Sequence, residues 1–206
     1  MMMPPGTPAD LLRLIAYHPL AWIVSHTDGG FDATPLPLLA ETGMDGELVS
    51  LLGHYARRNP QVGQLRAAPR ALILFSGPHG YVSPELVSQP QWAPTWNYAV
   101  AAIAVDVEFV AEETAGAVGE LVDTMEASRR APWSMDQVGD RLEPMMAQII
   151  AFRAHVRHVD ARFKLGQDER PDVFNDILRG LAIQGDAALA QWMRDFNAER
   201  LQDQGA

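Results

Sequence analysis

The sequence contains no cysteine. This absence excludes disulfide bonds, thiolate metal sites, iron–sulfur clusters and cysteine nucleophiles. Several catalytic and nucleotide-binding motifs are missing as well, namely Gly-x-Ser-x-Gly, His-Glu-x-x-His, the Walker loop and Gly-x-Gly-x-x-Gly. Hydrolase, zinc protease, P-loop nucleotidase and Rossmann interpretations therefore lack the residues that would carry their chemistry.

Positive charge is scarce. The chain has 16 lysine and arginine residues against 26 aspartate and glutamate residues, which gives a formal net charge of −10. A chain of this charge, with a sequence pI near 4.9, does not offer a broad electrostatic surface for DNA or anionic lipid. Any phosphate that the protein binds must meet a local positive site.

Long hydrophobic runs are also absent. The most apolar stretch, residues 99–105, is far shorter than the roughly 18 residues of a membrane span. The first residues, Met-Met-Met-Pro-Pro-Gly-Thr-Pro, form neither the basic nor the apolar region of a signal peptide. We expect no membrane association and a cytoplasmic protein. Residues 1–206 are expected to form one domain with a C-terminal helical extension from about residue 170.

Strand patterns come first along the chain and helix patterns later, which favours an α+β fold. Two strand-like runs, 20–26 and 31–40, flank a turn at residues 27–30 that suits a hairpin. Pro35 and Pro37 indicate that the second run is an edge strand or an irregular one. Short strands are further predicted at 48–52 and 71–75, and a long one after Pro94.

The period-two pattern between Phe152 and Phe163 changes phase near Arg157 and His158, which predicts a β-bulge there. Six or seven such strands would form a small barrel covered by C-terminal helices. His155 and His158 face opposite sides of the strand unless the bulge realigns them, and no carboxylate or cysteine completes a ligand set, so no metal site is expected.

Capping patterns predict where helices begin. Thr7-Pro8-Ala9-Asp10 predicts an N-terminal helix, and Asn59-Pro60 predicts another. A helix is expected over 114–128, and Ser134 with Gln137 resembles a capping box for a helix that Pro144 would interrupt. Helices beginning at Pro171 and over 187–201 follow.

The densest polar segment is residues 53–61, Gly-His-Tyr-Ala-Arg-Arg-Asn-Pro-Gln. A turn between a strand and a helix presents free backbone N–H groups, and His54 and Arg57 would add charge-assisted donors. This combination suits a phosphate. The alternative is a solvated loop that precedes a capped helix.

The only lysine, Lys164, ends the bulged strand. A chain that uses arginine at every other cationic position retains a compact ammonium here, which indicates a place where a guanidinium does not fit. A single occurrence is equally compatible with chance.

Two further stretches, residues 75–84 and 94–98, combine glycine and proline with Thr95, Trp96, Asn97 and Tyr98. This mixture of hydrogen-bonding and aromatic groups at a strand entrance is typical of a site for a planar heterocycle. A structural turn closed by an aromatic plug is the alternative.

Taken in order, these segments resemble the PaiB family of FMN-binding negative transcriptional regulators. The matching stretches are residues 18–19, 33–37, 53–61, 75–84, 94–98 and 164–167. The resemblance implies an FMN-binding split β-barrel of the pyridoxamine phosphate oxidase-like group. It also implies a homodimer with the flavin at the subunit interface.

The resemblance also implies which residues contact FMN. Four would hold its phosphate and two would line the flavin from the neighbouring strand. Five more would approach the ring or the phosphate, some of them from the second subunit. The respective sets are Gly53, His54, Ala56 and Arg57; Thr34 and Leu36; and Thr95, Trp96, Asn97, Lys164 and Gln167.

The chain departs from the family pattern at three places. Glu85-Leu86 follows Ser83-Pro84 where the family has Trp-Tyr, and Gly166 and Asp168 replace a serine and an asparagine. The N-terminal Tyr-x-Pro pattern is missing. These changes fall at the rim of the implied flavin site.

Three functions remain open at this point. The first is an FMN-binding protein of the PaiB type, for which the acidic charge makes direct DNA binding doubtful. The second is an FMN-dependent oxidoreductase acting on a small molecule, with His79 and Tyr81 as candidates for proton handling. The third is a split barrel that binds another cofactor such as haem. No catalytic residue is predicted.

Overall fold

The computed structural model of the chain describes residues 6–27 and 29–203. The first helix, α1, spans Pro8–Tyr17. Thr7 Oγ1 accepts from the backbone N–H of Asp10, and the Asp10 carboxylate accepts from the N–H of Thr7 at 2.8 Å. The predicted N-terminal cap is therefore confirmed, and it directs Leu11, Leu14 and Ile15 into the core.

Seven antiparallel strands form one sheet with the order β2-β1-β5-β6-β7-β4-β3. Each strand pairs antiparallel with its neighbours, with register shifts in the β3–β4, β5–β6 and β6–β7 ladders. The strands are β1 (Leu20–Thr27), β2 (Gly30–Pro37), β3 (Leu39–Thr42), β4 (Leu48–Ala56), β5 (Arg70–Val82), β6 (Thr95–Phe109) and β7 (Ile149–Lys164).

The predicted hairpin and edge strand are confirmed. Thr27 pairs with Gly30, and β2 with its two prolines lies at a sheet edge. The run 31–40 was expected to be one strand, but it is divided at Leu38. Leu38 is fully buried, and its N–H donates to the carbonyl of Pro19 at 2.9 Å.

The division at Leu38 closes the sheet into a barrel. Strands β2 and β3 are the two outermost strands of the sheet, yet only Leu38 separates them in sequence. One residue spans only about 3.5 Å of chain on each side, so the two edges must meet. The fold is thus the split barrel that the resemblance implied.

The predicted β-bulge is also confirmed. Ala104 pairs with His158 and Val105 pairs with Val156, which leaves Arg157 as the extra residue of β7. The bulge allows both Phe152 and Phe163 to be fully buried although their spacing breaks the period of two.

Strand β4 is longer than the sequence pattern predicts. It continues through Gly53, His54, Tyr55 and Ala56, each of which pairs with a residue of β7. The polarity of this segment predicts a loop. Its ladder to β7 and the fully buried Tyr55 ring hold it in the sheet instead. Strand β5 likewise extends beyond the predicted 71–75.

Helices cover the outside and the ends of the barrel. They are α2 (Pro60–Ala67), α3 (Thr114–Glu126), α4 (Leu142–Met146), α5 (Pro171–Gln184), α6 (Ala187–Phe196) and α7 (Ala198–Asp203). Three short 3-10 helices span Pro84–Leu86, Ala111–Glu113 and Met135–Arg141.

Two helix predictions need correction. Ser134 makes no side-chain cap to the helix backbone, and the segment after it is a 3-10 helix in which Gly139 has a φ of +63°. The single helix expected over 187–201 is divided at Asn197. The side-chain amide of Asn197 donates to the carbonyls of Leu165 and Met193. In both cases the side chain binds another partner, since the Ser134 hydroxyl donates to the Asp136 carboxylate and the Asn197 amide donates to backbone carbonyls.

The main core fills the barrel and extends under α1, α5 and α6. A second, smaller apolar cluster lies between α3 and the β4–β7 ladder, and it contains Leu39, Leu52, Val110, Ala117 and Ala151. Within the described ranges, no helix is long and apolar enough to cross a membrane.

Candidate functional site

The turn between β4 and α2 is closed by hydrogen bonds on both sides. The N–H of Arg57 donates to Gln148 at 2.8 Å. The Asn59 side chain accepts from the N–H of Gln61 and so caps α2. Its amide also donates to Thr34 Oγ1 at 3.1 Å, across the seam where the barrel edges meet. Thr34 and the turn, predicted to share a site, therefore lie together.

A buried network supports this turn from below. Gln61 is only 1% exposed. Its amide donates to the Ile23 carbonyl at 3.0 Å and to Ser25 Oγ at 2.9 Å, and its oxygen accepts from the Tyr55 hydroxyl at 2.9 Å. Burial raises the pKa of Tyr55, so its hydroxyl remains a donor. The network joins α2 to β1 and β4.

Two cations of the turn remain available to an anion. Arg57 and Arg58 are exposed, and no described carboxylate forms an ion pair with either. Many other arginines are neutralised by carboxylates. Those are Arg13, Arg70, Arg153, Arg157, Arg162, Arg170 and Arg179. The turn is thus a local positive site on an acidic protein.

His54 differs from its expected role. It is half-buried in β4, and burial lowers its pKa below the ordinary value of 6.5. At neutral pH the free protein therefore holds His54 as a neutral imidazole. It can donate one hydrogen bond, but without the positive charge that the sequence interpretation assumed.

The other residues predicted near the flavin or its phosphate offer no polar side chain, and two of them pack against the core. A Cβ on Gly53 would lie 2.5 Å from Leu38 Cδ2 and 3.0 Å from Phe152 Cζ, so any larger residue would force the buried Leu38 side chain to shift. Leu36 is half-buried against the main core, and Ala56 is exposed at the end of β4. Gly53 thus shapes the strand rather than presenting a side chain.

The sole lysine lies at the opposite end of the barrel. Lys164 ends β7, and its Nζ donates to Thr95 Oγ1 at the start of β6. No described carboxylate forms an ion pair with Lys164. The predicted neighbours Thr95 and Lys164 are therefore in contact, and the ammonium is available to a ligand.

An exposed aromatic cluster adjoins Thr95 and Lys164, which together we call the lysine corner. Tyr81 pairs with Trp96 and His79 pairs with Tyr98 in the β5–β6 ladder. The Trp96 ring centroid lies 6.5 Å from that of His79, nearly parallel, and 6.0 Å from that of Tyr81. The two stretches that suggested a planar ligand are thus neighbouring strands of one surface.

Two other predicted residues are engaged elsewhere. Asn97 is 2% exposed, and its amide donates to the sulfur of Met193 in α6. The Gln167 amide donates to the Phe163 carbonyl at 2.5 Å, and its oxygen accepts from the Leu165 N–H at 2.7 Å. Their side chains fold against protein groups and do not face the aromatic cluster.

The two groups of candidate residues are far apart in one chain. Ala56, beside Arg57, pairs with Ile149 at the start of β7, whereas Lys164 is the last residue of that 16-residue strand. At about 3.3 Å per residue, the strand between them has a contour length on the order of 50 Å, which the bulge and the curvature of the barrel shorten in space. The turn and the lysine corner are therefore separate surfaces of one copy.

Between them, the outer face of the sheet is apolar and uncovered. Trp22 is 51% exposed, and Leu72 and Leu74 are 40% and 37% exposed. Trp22 and Leu74 line an open groove of about 490 Å³. Its lining consists of Trp22, Leu74, Phe75, Ser76, Val100, Ala101, Ala102, Asp160 and Arg162.

The sequence contains a signal for this face in two of its strands. Strands β1 and β5 include Leu-Ala-Trp-Ile-Val and Ala-Leu-Ile-Leu-Phe, where both strand faces are apolar. Continuous apolar strands are typical of sheets that are buried on both sides. Two charged residues, Asp160 and Arg162, lie at the rim of this face and form an ion pair. The hydrogen bond from Arg162 lowers the pKa of Asp160.

Histidines at the bulge form no metal centre in the described part of the chain, where no three His, Asp or Glu side chains group suitably. His155 Nε2 lies 2.8 Å from the Glu108 carboxylate. His158 pairs with Ala104 in the ladder.

Residues 5–158 match a family model described as "Putative FMN-binding domain". The matched range includes the β4–α2 turn and the β5–β6 pair. It ends before Lys164 and before the three C-terminal helices. The family-level resemblance found in the sequence is therefore confirmed.

Individual relatives agree with this family. The chain is 27% identical over 174 residues to "Protease synthase and sporulation protein PAI 2" of Bacillus subtilis (strain 168), covering 84% of this chain and 83% of that protein. The fold resembles the FAD and heme binding protein from Mycobacterium smegmatis, with a TM-score of 0.59, 18% identity, and coverage of 85% of this chain and 78% of that one.

A further similar structure is the flavocytochrome Anf3 from Azotobacter vinelandii, with a TM-score of 0.57 and 12% identity. The alignment covers 76% of this chain and 67% of the flavocytochrome. At these identities, the two structures establish the shared barrel fold alone.

Proposed function

The chain belongs to the FMN-binding domain family whose model matches residues 5–158, and from this we propose that two copies of it hold FMN between them. One copy supplies the β4–α2 turn to the phosphate. The other supplies the lysine corner to the flavin ring. Each two-fold dimer then has two equivalent flavin sites.

The placement of the candidate residues carries this proposal. The turn with Arg57 and the corner with Lys164 lie at opposite ends of the 16-residue β7. A molecule the size of FMN does not span this length within one copy. A second copy that covers the apolar face around Trp22 and Leu74 would bring its own corner towards the first copy's turn.

The residues of the turn fit a phosphate monoester. Such a group carries about −1.5 to −2 charges at neutral pH. The exposed Arg57 and Arg58 supply unpaired guanidinium groups, and the Thr34 hydroxyl, held by Asn59, lies beside them. His54 adds a neutral donor. Together these groups satisfy several phosphate oxygens without a broad basic surface.

The lysine corner and the apolar face fit a planar ring. Lys164 is held by Thr95 and offers a point charge to a ring oxygen or nitrogen. Trp96 and Tyr81 offer aromatic surface, and the open Trp22–Leu74 groove would exclude water once the second copy covers it. When bound, FMN supplies electron and hydride transfer, and the chain supplies the binding and orientation.

Mixing two variants tests the shared site. Arg57→Ala and Lys164→Met, each alone, should weaken FMN binding by about tenfold or more, because each removes a charge-assisted contact. After unfolding and refolding together, about half of the dimers should contain one copy of each variant. Every mixed dimer retains one intact site, so about a quarter of all sites should regain full affinity.

Arg129→Ala, an exposed arginine away from both surfaces, serves as the matched control. Binding measured by quenching of FMN fluorescence, together with the mass in solution, provides the readout. A mixture that binds no better than the separate variants would show that the two groups do not meet in a shared site.

The proposed ligand is the flavin rather than DNA. The net charge is −10, and at least seven arginines are occupied by carboxylates. The arginines outside these ion pairs include two adjacent pairs, Arg57-Arg58 and Arg129-Arg130, and such isolated pairs are too sparse for a DNA backbone. Tight binding to specific DNA that falls steeply with added salt would contradict this assignment.

A second candidate, an FMN-dependent oxidoreductase, is favoured by the exposed aromatic cluster. His79 Nδ1 lies 3.1 Å from the Gly77 carbonyl, to which it can only donate, so Nε2 is available to accept a proton. Oxidation of a reduced nicotinamide by the FMN-loaded protein, slowed in His79→Gln, would support this activity. A flavin that exchanges no electrons with small molecules would oppose it.

The visible spectrum of the purified protein separates FMN from haem. Flavin absorbance is expected. A Soret band without flavin absorbance would instead favour a haem-binding role.

A further inference from the structure

The turn that follows Lys164 is held by contacts within itself. We call residues 164–169 the lysine turn. Gln167 bridges the Phe163 carbonyl and the Leu165 N–H. Gly166 has a φ of +75°, a conformation that favours glycine, and a Cβ there would lie 3.1 Å from both Met193 and Phe174. The backbone after the lysine therefore has little freedom.

The C-terminal helices hold the same turn from outside. Asn197, 3% exposed at the junction of α6 and α7, donates from its amide to the carbonyls of Leu165 at 3.0 Å and Met193 at 2.8 Å. Arg200 Nη1 donates to the carbonyls of Gln167 at 2.6 Å and Glu169 at 3.0 Å. Three carbonyls of the lysine turn are thus bound by two side chains.

We propose that Asn197 and Arg200 are positioning residues for the Lys164 ammonium. Both lie in a region beyond the residues that match the family model. Since Lys164 is placed at the flavin by the proposed function, the consequence for FMN binding rests on that proposal. The consequence for the lysine itself does not.

The physical argument concerns the long lysine side chain. Four rotatable bonds separate its ammonium from the backbone, so a rotation of about 20° at the Cα moves the charge by about 2 Å, enough to break a hydrogen bond. The bond to Thr95 Oγ1 restrains the far end. The near end is restrained by the turn, whose carbonyls Asn197 and Arg200 hold. Without those donors, the backbone of the lysine turn becomes mobile and the hydrogen bond from Lys164 to Thr95 is no longer held in one geometry.

Because Lys164 is the only lysine, it can be observed alone. Protein labelled with ¹³C at lysine Cε gives one side-chain signal per copy. In the native protein the Thr95 bond should hold the two Hε protons in different surroundings and give two distinct shifts. A freely rotating lysine gives one averaged shift.

The variants Asn197→Ala and Arg200→Met should each merge the two Hε shifts and raise the Kd for FMN about tenfold. The Arg200 guanidinium also lies over the Phe174 ring, 4.9 Å from its centroid. Methionine keeps an unbranched side chain of similar length beside that ring while removing the guanidinium, so the second variant tests the loss of its contacts if the first fails to fold. Gln191→Ala, on the exposed face of α6, should change neither measurement.

The outcomes distinguish the two proposals. A native lysine signal that does not respond to FMN would reject the flavin contact of Lys164 in the proposed function. Variants that retain two distinct Hε shifts would overturn the positioning inference, whatever FMN does. Merged shifts together with weaker FMN binding would support both.

Discussion

The buried amide of Gln61 is the most informative position for a stability measurement. It joins α2 to β1 through Ile23 and Ser25, and to β4 through Tyr55. Gln61→Leu retains a side chain of similar size while removing every one of these hydrogen bonds. Tyr55→Phe removes only the hydroxyl that donates to Gln61.

The expected magnitude follows from the number of bonds. Three well-formed hydrogen bonds are lost in Gln61→Leu, and each contributes about 1 kcal/mol net, so unfolding should become easier by about 3 kcal/mol. For a chain of this length the melting temperature should fall by about 9 °C. Tyr55→Phe should cost about 1 kcal/mol.

The double variant tests the reasoning. The Tyr55–Gln61 bond is counted in both single variants, so the double variant should be about 1 kcal/mol more stable than the sum of the two losses indicates. Urea unfolding followed by fluorescence and circular dichroism provides the free energies. Strict additivity, or a loss below about 1 kcal/mol for Gln61→Leu, would refute the buried network.

Three further predictions concern the ligand site and pH. Arg57→Ala should abolish retention of FMN through purification because it removes a bidentate phosphate donor, whereas Arg129→Ala should retain the yellow colour. Lys164→Arg should raise the FMN Kd severalfold, as a guanidinium does not reproduce a compact ammonium, and an unchanged Kd in titration would contradict this reason for lysine. Burial lowers the pKa of His54 and of His18. As the pH falls below about 6.5, these histidines bind protons in the unfolded chain more readily than in the folded protein. The free energy of unfolding is therefore highest above that pH and declines as the pH falls. Urea unfolding from pH 7.5 to 5.5 should show this decline, with a smaller slope in His54→Gln; equal slopes would assign it to other groups.

Many local elements could be predicted because a few neighbouring residues determine them. The Thr7–Asp10 cap, the hairpin at 27–30 and the bulge at Arg157 each depend on backbone preferences and hydrogen bonds within a few residues. Prolines 35 and 37 likewise identified an edge strand from their missing N–H groups alone.

The extent of β4 could not be predicted in this way. Residues 53–56 are polar enough to suggest a loop, and they form a strand because β7 supplies a pairing partner about a hundred residues later. The same pairing buries Tyr55 and lowers the pKa of His54. The charge state of His54, a candidate phosphate-binding residue, thus depends on a strand that is distant in sequence.

By itself, the sequence determined that phosphate binding requires a local positive site, and it identified Arg57 and the lone Lys164 as candidates. Only the tertiary structure decided that they lie at opposite ends of β7, and that Asn97 and Gln167 bind other partners. The physical reason is that composition and capping act over a few residues, whereas the distance between two side chains depends on strand length and register. Those quantities are set by pairing and burial across the whole barrel.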